Sequence, residues 1–291
     1  KLADKYAVST DEIIVGNGSN EILTDIALAC LKPGDEVVYS WPSFIVYRIV
    51  CELTQATPVE IGLNPRGAFN LDAILEAINE KTKVVFLCNP NNPSGGFFSK
   101  EEFDRFMTAV PEHVLVVVDE AYVEFVTDPN FADSLHYFDG KRAIAVLRTF
   151  SKMYALAGAR VGYALAPKEL CEAVDKVREP FNVNIVGQAM AVYSLEDVAE
   201  LQKRRSENEQ ARIKLESYFR DAGIPFFPSQ TNFVFAFFDE PSRVEEELKK
   251  QGVIVRPFPA AKALRIGLPE IAEVDRLITS VSAALKAEPR N

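Results

Sequence analysis

The chain of 291 residues has only two histidines, His113 and His136. They lie far apart in the sequence and share no metal-ligand spacing with cysteine or aspartate. This scarcity argues against a zinc site and against a serine–histidine–aspartate triad. We therefore expect any proton transfer in this protein to depend on lysine, tyrosine or carboxylate side chains.

Cysteine pairs, an excess of positive charge and long apolar runs are also lacking. The four cysteines, at positions 30, 51, 88 and 171, form no Cys-x-x-Cys pair, which predicts free, buried thiols in a reducing cytoplasm. The net charge of −10 argues against nucleic acid or an anionic membrane surface as a partner. No apolar run reaches the roughly 18 residues that a membrane-spanning helix needs. The composition therefore predicts a cytoplasmic globular protein.

Short apolar runs alternate with amphipathic stretches from residue 11 to about residue 166. Val84–Cys88 and Val114–Val118 are continuously apolar, which is typical of strands that are covered on both faces. Further strands are expected at Ile13–Val15, Val37–Tyr39, Pro58–Leu63 and Ile144–Leu147. Because helical patterns separate these strands, the sequence predicts an α/β fold with a mostly parallel central sheet and helices on both faces.

The character of the sequence changes after about residue 167, where long charged helices and short strands are expected. The helices are expected at 168–178, 186–218, 241–251 and 270–286. The strands are expected at 232–237, 253–256 and 264–266. We therefore predict a large α/β domain over residues 1–180, which carries the site, and a smaller α+β domain over residues 181–291.

The most informative stretch is Thr149–Arg160, which follows an apolar strand. It places Lys152 in a turn of small residues and Arg160 eight residues later. A primary amine held there can form a Schiff base with an aldehyde, while the side chains of Thr149, Ser151 and Arg160 can grip a phosphate. These parts suit pyridoxal 5'-phosphate, whose aldehyde and phosphate must both be held. A Ser-Lys pair in a turn is, on its own, most often ordinary surface.

A second polar motif, Asp119 followed by Tyr122, also comes directly after a predicted strand. In open parallel sheets, ligands bind beyond the carboxyl ends of the strands, so this motif and the lysine turn should meet there. A carboxylate at the end of an apolar strand is costly unless it pairs with a cation. The protonated pyridine nitrogen of the cofactor would be that cation. Tyr122, three residues later, can reach the phenolic oxygen of the same cofactor. The alternative is that Asp119 caps the following helix.

Three further motifs offer ligands for the same edge of the sheet. The segment Gly16–Glu21 can present helix N-terminal amides to a phosphate, although it lacks the third glycine of a dinucleotide fingerprint. It can equally be a turn capped by Ser19 or Asn20. Asn92 lies in a loop fixed by two prolines and can present its amide to a ligand oxygen, while Phe44 can stack on a planar ring. The commoner alternatives are an ordinary turn for Asn92 and core packing for Phe44.

Taken together, these motifs resemble those of the fold type I, aspartate-aminotransferase-like enzymes, and most closely the histidinol-phosphate aminotransferase family. The similarity covers essentially the whole chain. The matching stretches are VGNGSNE, NPNNPSG, VDEAY, RTFSKMYALAGARVGY and QTNFV. The resemblance implies a pyridoxal-phosphate-dependent transaminase that moves an amino group between glutamate and histidinol phosphate. It also implies a homodimer, because sites in this family lie at the subunit interface.

The resemblance assigns a role to each residue around the cofactor. Lys152 is expected to bind the aldehyde and then to shuttle the proton of the substrate's α-carbon. Asp119 is expected to pair with the ring nitrogen, Asn92 and Tyr122 with the ring oxygen, and Phe44 to stack on the ring. The residues expected around the phosphate are Ser19, Asn20, Thr149, Ser151 and Arg160.

Arg265 matches the family's arginine for the anionic group of the substrate, and Arg256 is a second candidate. One guanidinium can bind both the carboxylate of glutamate and a substrate phosphate. Only eight residues separate the two arginines, which is closer to the aromatic amino-acid aminotransferases, the main alternative. A decarboxylase or lyase of the same fold is a further alternative.

The resemblance also suggests that this sequence is an excerpt of a longer protein. Members of the family carry an N-terminal arm, with Asn-Glu-Asn-Pro-Tyr and Tyr-Pro-Asp segments, that is absent from it. If the shorter chain is the natural one, activity is expected to be impaired. The alternative of a different class is a truncated homologue that binds a partner without catalysing a reaction.

Overall fold

A seven-stranded sheet forms the centre of the computed structural model, which describes residues 1–287. Its strands are β1 (Ile13–Gly16), β2 (Glu36–Trp41), β3 (Thr57–Gly62), β4 (Thr82–Cys88), β5 (Leu115–Asp119), β6 (Ile144–Thr149) and β7 (Gly162–Leu165). They lie in the order β1-β7-β6-β5-β4-β2-β3, and β7 runs antiparallel to both of its neighbours. The prediction of a mostly parallel sheet is therefore confirmed.

Helices connect these strands and cover the sheet. They are α1 (Leu2–Tyr6), α2 (Ser19–Cys30), α3 (Val46–Thr54), α4 (Leu71–Ala77), α5 (Lys100–Ala109) and α6 (Lys168–Val174). In β4, four consecutive residues from 84 to 87 have no exposed surface. Since successive side chains of a strand point to opposite faces, both faces of β4 are covered.

Local sequence explains where such a helix begins. Ser99 precedes α5, and its hydroxyl accepts a hydrogen bond from the amide of Glu102, whose carboxylate accepts one from the amide of Ser99. This reciprocal capping satisfies amides that the first turn would otherwise leave unpaired. Phe103 and Phe106 then fall on one face of the helix and are buried in the main core.

A smaller antiparallel sheet lies in the C-terminal part of the chain. Its strands are β8 (Phe226–Phe227), β9 (Phe233–Phe237), β10 (Arg256–Phe258) and β11 (Ala263–Gly267), in the order β10-β11-β9-β8. The helices of this part are α7 (Ile185–Ser194), α8 (Val198–Asp221), α9 (Pro241–Lys250) and α10 (Val274–Lys286). Leu215, Phe219, Leu248 and Val281 pack in a core separate from that of the large sheet. A domain boundary at residue 180 stays a prediction.

Three details of the expected elements are wrong, and one of them is the helix expected at 168–178, which ends at Val174. The predicted helix over 186–218 is two helices, because the chain leaves the helical path after α7 and Asp197 starts α8 by accepting a hydrogen bond from the amide of Glu200. The strand expected at 253–256 begins only at Arg256, where pairing with β11 starts. Within residues 1–287, no helix is both long enough and apolar enough to cross a bilayer.

The topology brings the ends of the central strands together. Cys88 at the end of β4 pairs in register with Asp119 at the end of β5, and Asp119 pairs with Leu147 of β6. The loops that leave these three parallel strands therefore start at the same edge of the sheet.

Candidate active site

A cleft opens at this carboxyl edge, and it encloses about 630 Å³ of space when the part open to solvent is included. Ten of the twelve predicted site residues line it. They are Ser19, Asn20, Phe44, Asn92, Asp119, Tyr122, Thr149, Ser151, Lys152 and Arg160.

Lys152 lies in the turn after β6, with its side chain exposed to the solvent of the cleft. Its Nζ atom is 5.3 Å from the centre of the Tyr122 ring. Protein atoms around the amine remove part of its hydration, which lowers the pKa of Lys152 below its ordinary value. The positive charge of Arg265 lowers this pKa further, and the carboxylate of Asp119 opposes both effects. A lower pKa increases the neutral fraction of the amine, which is the form that acts as a nucleophile or base.

Asp119 lies at the end of β5 and is only 3% exposed. The amide of Ala121 donates to its Oδ1 atom at 3.2 Å, and the hydroxyl of Tyr47 donates to Oδ2 at 3.4 Å. Burial raises the pKa of Asp119 to about 6, although the Ala121 amide, the Lys152 charge and the Tyr47 hydroxyl oppose the rise. Among residues 1–287 it has hydrogen-bond donors but no ion-pair partner. A bound cation would therefore relieve the cost of this buried charge.

The part of the cleft around Arg160 and the start of α2 is suited to an anion. Arg160 donates from Nη1 to the Ser151 hydroxyl at 3.3 Å and from Nη2 to the carbonyl oxygen of Asn17 at 3.0 Å. Helix α2 begins here at Ser19, and neither Ser19 nor Asn20 is the N-cap, because Gly18 occupies that position without a side-chain cap. The amides of the first turn thus stay available to a ligand, as in many phosphate sites.

Gly18 is required at this position for two reasons. Its φ of +77° is a backbone conformation that other residues rarely adopt. A Cβ atom on it would also lie 2.7 Å from Nη2 of Arg160. The glycine therefore lets the arginine approach the start of α2.

Phe44 and Asn92 reach the cleft from two loops that are tied together. Ser43 donates from its hydroxyl to Oδ1 of Asn91 at 2.8 Å, and Asn91 Nδ2 donates to the carbonyl oxygen of Pro42 at 3.1 Å. Ser43 and Asn91 are both buried. This pairing fixes Phe44 and Asn92, their neighbours in sequence, on the walls of the cleft.

Arg265 reaches the cleft from the smaller sheet. Its Nη1 atom donates to Oδ1 of Asn92 at 2.6 Å, and its guanidinium lies 4.9 Å from the centre of the Phe233 ring. The Tyr122 ring packs edge-on against the same Phe233 ring, at 5.2 Å between centres. Arg265 is thus placed where it can bind an anionic group of a ligand in the cleft.

Arg256 is not brought into the cleft. It lies directly opposite Arg265 in the ladder between β10 and β11, so the two side chains share a face of the smaller sheet. Arg256 is exposed, and its charge lowers the pKa of Arg265, after the larger effect of burial. Its proposed contact with substrate stays a prediction.

A buried ion pair holds the strand ends behind the cleft. Arg148 of β6 donates from Nη2 to Oε2 of Glu120 at 2.7 Å and to Oδ1 of Asp133 at 2.7 Å. Glu120 follows Asp119 in the chain, and Arg148 precedes the turn of Lys152. Removing one member would leave an uncompensated buried charge, so the pair fixes these two residues relative to each other.

Tyr47 and Cys88 belong to the site and were not among the predicted site residues. Cys88 lines the cleft and is 2% exposed, which agrees with the predicted buried thiol, and Tyr47 lies behind it. One feature of the sequence could have indicated Tyr47: it lies one helical turn after the predicted site residue Phe44. Which way that helix face points cannot be read from the sequence, because it depends on how α3 packs on the sheet.

The cleft fits pyridoxal 5'-phosphate group by group. The cofactor has an aldehyde, a phosphate, a phenolic oxygen and a ring nitrogen that must each be held. The cleft offers the Lys152 amine, whose pKa is lowered, for the aldehyde, and Arg160 with the free amides of α2 for the phosphate. It offers the side chains of Asn92 and Tyr122 for the phenolic oxygen and the buried Asp119 for the ring nitrogen.

Comparison with known proteins agrees with this fit. The family model for aminotransferases of class I and II matches residues 1–281. An aromatic amino acid aminotransferase of Corynebacterium jeikeium is 42% identical over 296 residues, which cover 99% of this chain and 78% of that protein. Histidinol-phosphate aminotransferase 2 of Pseudomonas fluorescens is 41% identical and covers 98% of this chain and 78% of its own.

A solved structure supports the fold. The histidinol-phosphate aminotransferase of Sinorhizobium meliloti, crystallised with pyridoxal 5'-phosphate, superposes with a TM-score of 0.89 at 27% identity. The alignment covers 98% of this chain and 79% of that one. The chain belongs to the class I and II aminotransferases, and it is therefore a pyridoxal-phosphate-dependent aminotransferase of fold type I.

Proposed function

We propose that the protein transfers the amino group of histidinol phosphate to 2-oxoglutarate, releasing glutamate, in two half-reactions at one site. The observation that carries the proposal is the position of Arg265, whose guanidinium donates to Asn92 on the wall of the cleft. One arginine there can bind the phosphate of the donor and the carboxylate of the acceptor in turn. Similarity to proteins named as histidinol-phosphate aminotransferases also supports it.

Each residue of the cleft has a proposed part in this transfer. When bound, pyridoxal 5'-phosphate supplies an electron sink for the charge that develops at the substrate's α-carbon. The Lys152 amine removes the proton from that carbon and delivers a proton to the aldehyde carbon of the cofactor. Asp119 supplies negative charge at the ring nitrogen, and Asn92 and Tyr122 donate hydrogen bonds toward the phenolic oxygen.

The remaining residues hold the reacting groups in place. Arg160, Ser151, Thr149 and the first turn of α2 are proposed to bind the phosphate, and Phe44 to limit movement of the ring. Binding of the phosphate at a fixed point positions the aldehyde near Lys152.

An aromatic amino-acid aminotransferase is the second candidate function. It is favoured by the relative from Corynebacterium jeikeium and by the short connection from Arg256 to Arg265. In that case Arg265 would bind the carboxylate of phenylalanine or tyrosine.

The two candidates differ in the donor that they prefer. With 2-oxoglutarate as acceptor, we expect kcat/KM for histidinol phosphate to exceed that for phenylalanine more than about tenfold, which is about 1.4 kcal/mol, since a phosphate offers Arg265 more charge and more acceptor oxygens than a carboxylate does. The amount of glutamate formed is compared with the amount of donor consumed. A decarboxylase or lyase would consume the donor without forming an equal amount of glutamate. Equal values, or a preference for phenylalanine, would move the assignment to the aromatic class.

We also propose that the protein is a homodimer, as the family resemblance implies. The first turns of α7 and the segment before it expose large apolar side chains, with Phe181 98% and Ile185 81% exposed. Val186 and Tyr193 extend the same exposed surface. Large exposed apolar side chains gathered in one short segment favour a protein interface there. A cytoplasmic location stays a prediction from composition.

The dimer can be tested by placing one charge in this surface. We expect sedimentation of the wild type to report a dimer and Ile185→Asp to shift it toward the monomer, because a buried unpaired carboxylate is costly. Ile254→Asp is the matched control, since Ile254 is 75% exposed but belongs to a different element, the segment between α9 and β10. A wild-type monomer at micromolar concentration, or equal behaviour of both variants, would contradict the proposed interface.

A further inference from the structure

Tyr47 is a buried residue of α3 that touches the floor of the cleft. Its side chain has no exposed surface, and its hydroxyl lies 3.4 Å from Oδ2 of Asp119. The thiol of Cys88 is the other polar group beside that hydroxyl. A buried hydroxyl needs an acceptor, and a carboxylate is a stronger acceptor than a thiol.

The ring of Tyr47 is held in one orientation by its aromatic neighbours. It stacks on Phe86 of β4 at 4.9 Å between centres and 8° between planes. The edge of Phe44 meets it at 6.1 Å and 89°, and Tyr39 packs against it at 5.7 Å. The hydroxyl therefore has little freedom to turn away from Asp119.

The two oxygens of Asp119 have different donors. The amide of Ala121 donates to Oδ1, and it would do so for any residue at position 121 except proline. The donor to Oδ2 is a side chain, that of Tyr47. With both oxygens bonded, the plane of the carboxylate is fixed, and a donated hydrogen bond favours the charged form.

We propose that Tyr47 is a positioning residue for the cofactor, whose hydroxyl keeps the Asp119 carboxylate charged and oriented to pair with the ring nitrogen. The proposal rests on the cofactor site described above and not on the identity of the amino donor. Tyr47 also supports the wall of the cleft through its contact with Phe44. It acts through these two residues and does not itself touch the reacting atoms.

Tyr47→Phe tests the hydroxyl alone, because the ring and its packing remain. Tyr39→Phe is the matched control: Tyr39 is equally buried, and its hydroxyl donates at 2.8 Å to a different carboxylate, that of Glu60, on β3. The dissociation constant of pyridoxal 5'-phosphate is measured by titrating cofactor-free protein. The same titration is made with the analogue that carries a carbon in place of the ring nitrogen. Thermal unfolding of the cofactor-free variants shows whether both fold.

We expect Tyr47→Phe to bind pyridoxal 5'-phosphate about tenfold more weakly than the wild type, as the loss of a hydrogen bond to a charged group implies. Tyr39→Phe should bind it as the wild type does. The loss in Tyr47→Phe should disappear with the carbon analogue, which has no ring nitrogen for Asp119 to hold. A purely structural tyrosine would weaken both ligands equally.

Two results would overturn the proposal. One is wild-type affinity of Tyr47→Phe for the natural cofactor, within about twofold. The other is an equal loss for the natural cofactor and its analogue. If the wild type itself binds both compounds equally, Asp119 does not hold the ring nitrogen, and the cofactor site fails together with the role of Tyr47. If the protein does not use histidinol phosphate, these binding results stay the same. Failure of the proposed substrate can therefore be distinguished from failure of the role proposed for Tyr47.

Discussion

Lys152→Ala is expected to lower kcat for transamination by about 10⁴-fold or more, because it removes the proposed nucleophile and the proposed base for the α-carbon proton together. Each role alone accounts for a large factor, and the described cleft has no second amine to replace it. Lys152 is exposed and its side chain makes no hydrogen bond among residues 1–287, so loss of that side chain should not disturb the fold. Thermal unfolding of the cofactor-free protein should therefore match that of the wild type.

A control separates the site from the general effect of losing a lysine. Lys168→Ala removes an exposed ammonium that pairs with Asp11 at 2.9 Å on the surface. We expect this variant to retain wild-type turnover, since exposed ion pairs contribute little to stability. Turnover by Lys152→Ala within about tenfold of the wild type would exclude the lysine as the base.

Asp119→Asn is the second variant with a large expected effect. It removes the negative charge that we propose to face the ring nitrogen, while keeping the shape of the side chain. We expect kcat to fall by about 10²–10³-fold, as when one electrostatic contact to the developing charge is lost. The cofactor should also bind more weakly, because the buried cation would lose its partner.

The same substitution should make the empty protein more stable at neutral pH. Burial raises the pKa of Asp119 to about 6, from 3.8 in the unfolded chain. A raised carboxyl pKa means that the folded protein binds the proton more tightly, so this group opposes folding increasingly as the pH rises from about 4 to about 6, and to its full extent above that. The cost is at most about 3 kcal/mol, and it vanishes below the unfolded pKa.

The measurement is unfolding of cofactor-free Asp119→Asn and wild type between pH 4 and pH 8. The variant should gain stability relative to the wild type as the pH rises through the range from about 4 to 6. Asp11→Asn is the control, because Asp11 forms its ion pair on the surface. Asp133→Asn is not suitable, because Asp133 pairs with the buried Arg148. If Asp119→Asn is less stable than the wild type at pH 8, the predicted cost of the buried charge is contradicted. If its turnover is undiminished, the predicted role of that charge in catalysis is contradicted.

The meeting of Lys152, Asp119 and Asn92 in one cleft could be expected from the sequence. Each follows a strand of continuous apolar residues, and parallel strands end at the same edge of the sheet. Their chemistry was also readable, because a lysine in a small-residue turn and an aspartate that ends an apolar strand together supply the amine and the carboxylate that an aldehyde cofactor with a pyridine ring requires.

Other features required the three-dimensional arrangement. The break before α8 depends on Asp197 as a cap, within a stretch that is helical in pattern on both sides. The start of β10 at Arg256 is set by pairing with β11, and local composition does not fix register. The contact of Tyr47 with Asp119 joins residues 72 positions apart through the packing of α3 on the sheet. Tertiary packing decides the last two, whereas the break before α8 is set locally by the Asp197 cap.

The central claim is that the Lys152 amine binds pyridoxal 5'-phosphate covalently in this cleft. Its most direct test is borohydride reduction of the cofactor-loaded protein, followed by proteolysis and peptide mass spectrometry. The account predicts a single phosphopyridoxyl group, on the peptide that contains Lys152. A reduced adduct on another lysine, or no adduct in a protein that has bound the cofactor, would contradict it.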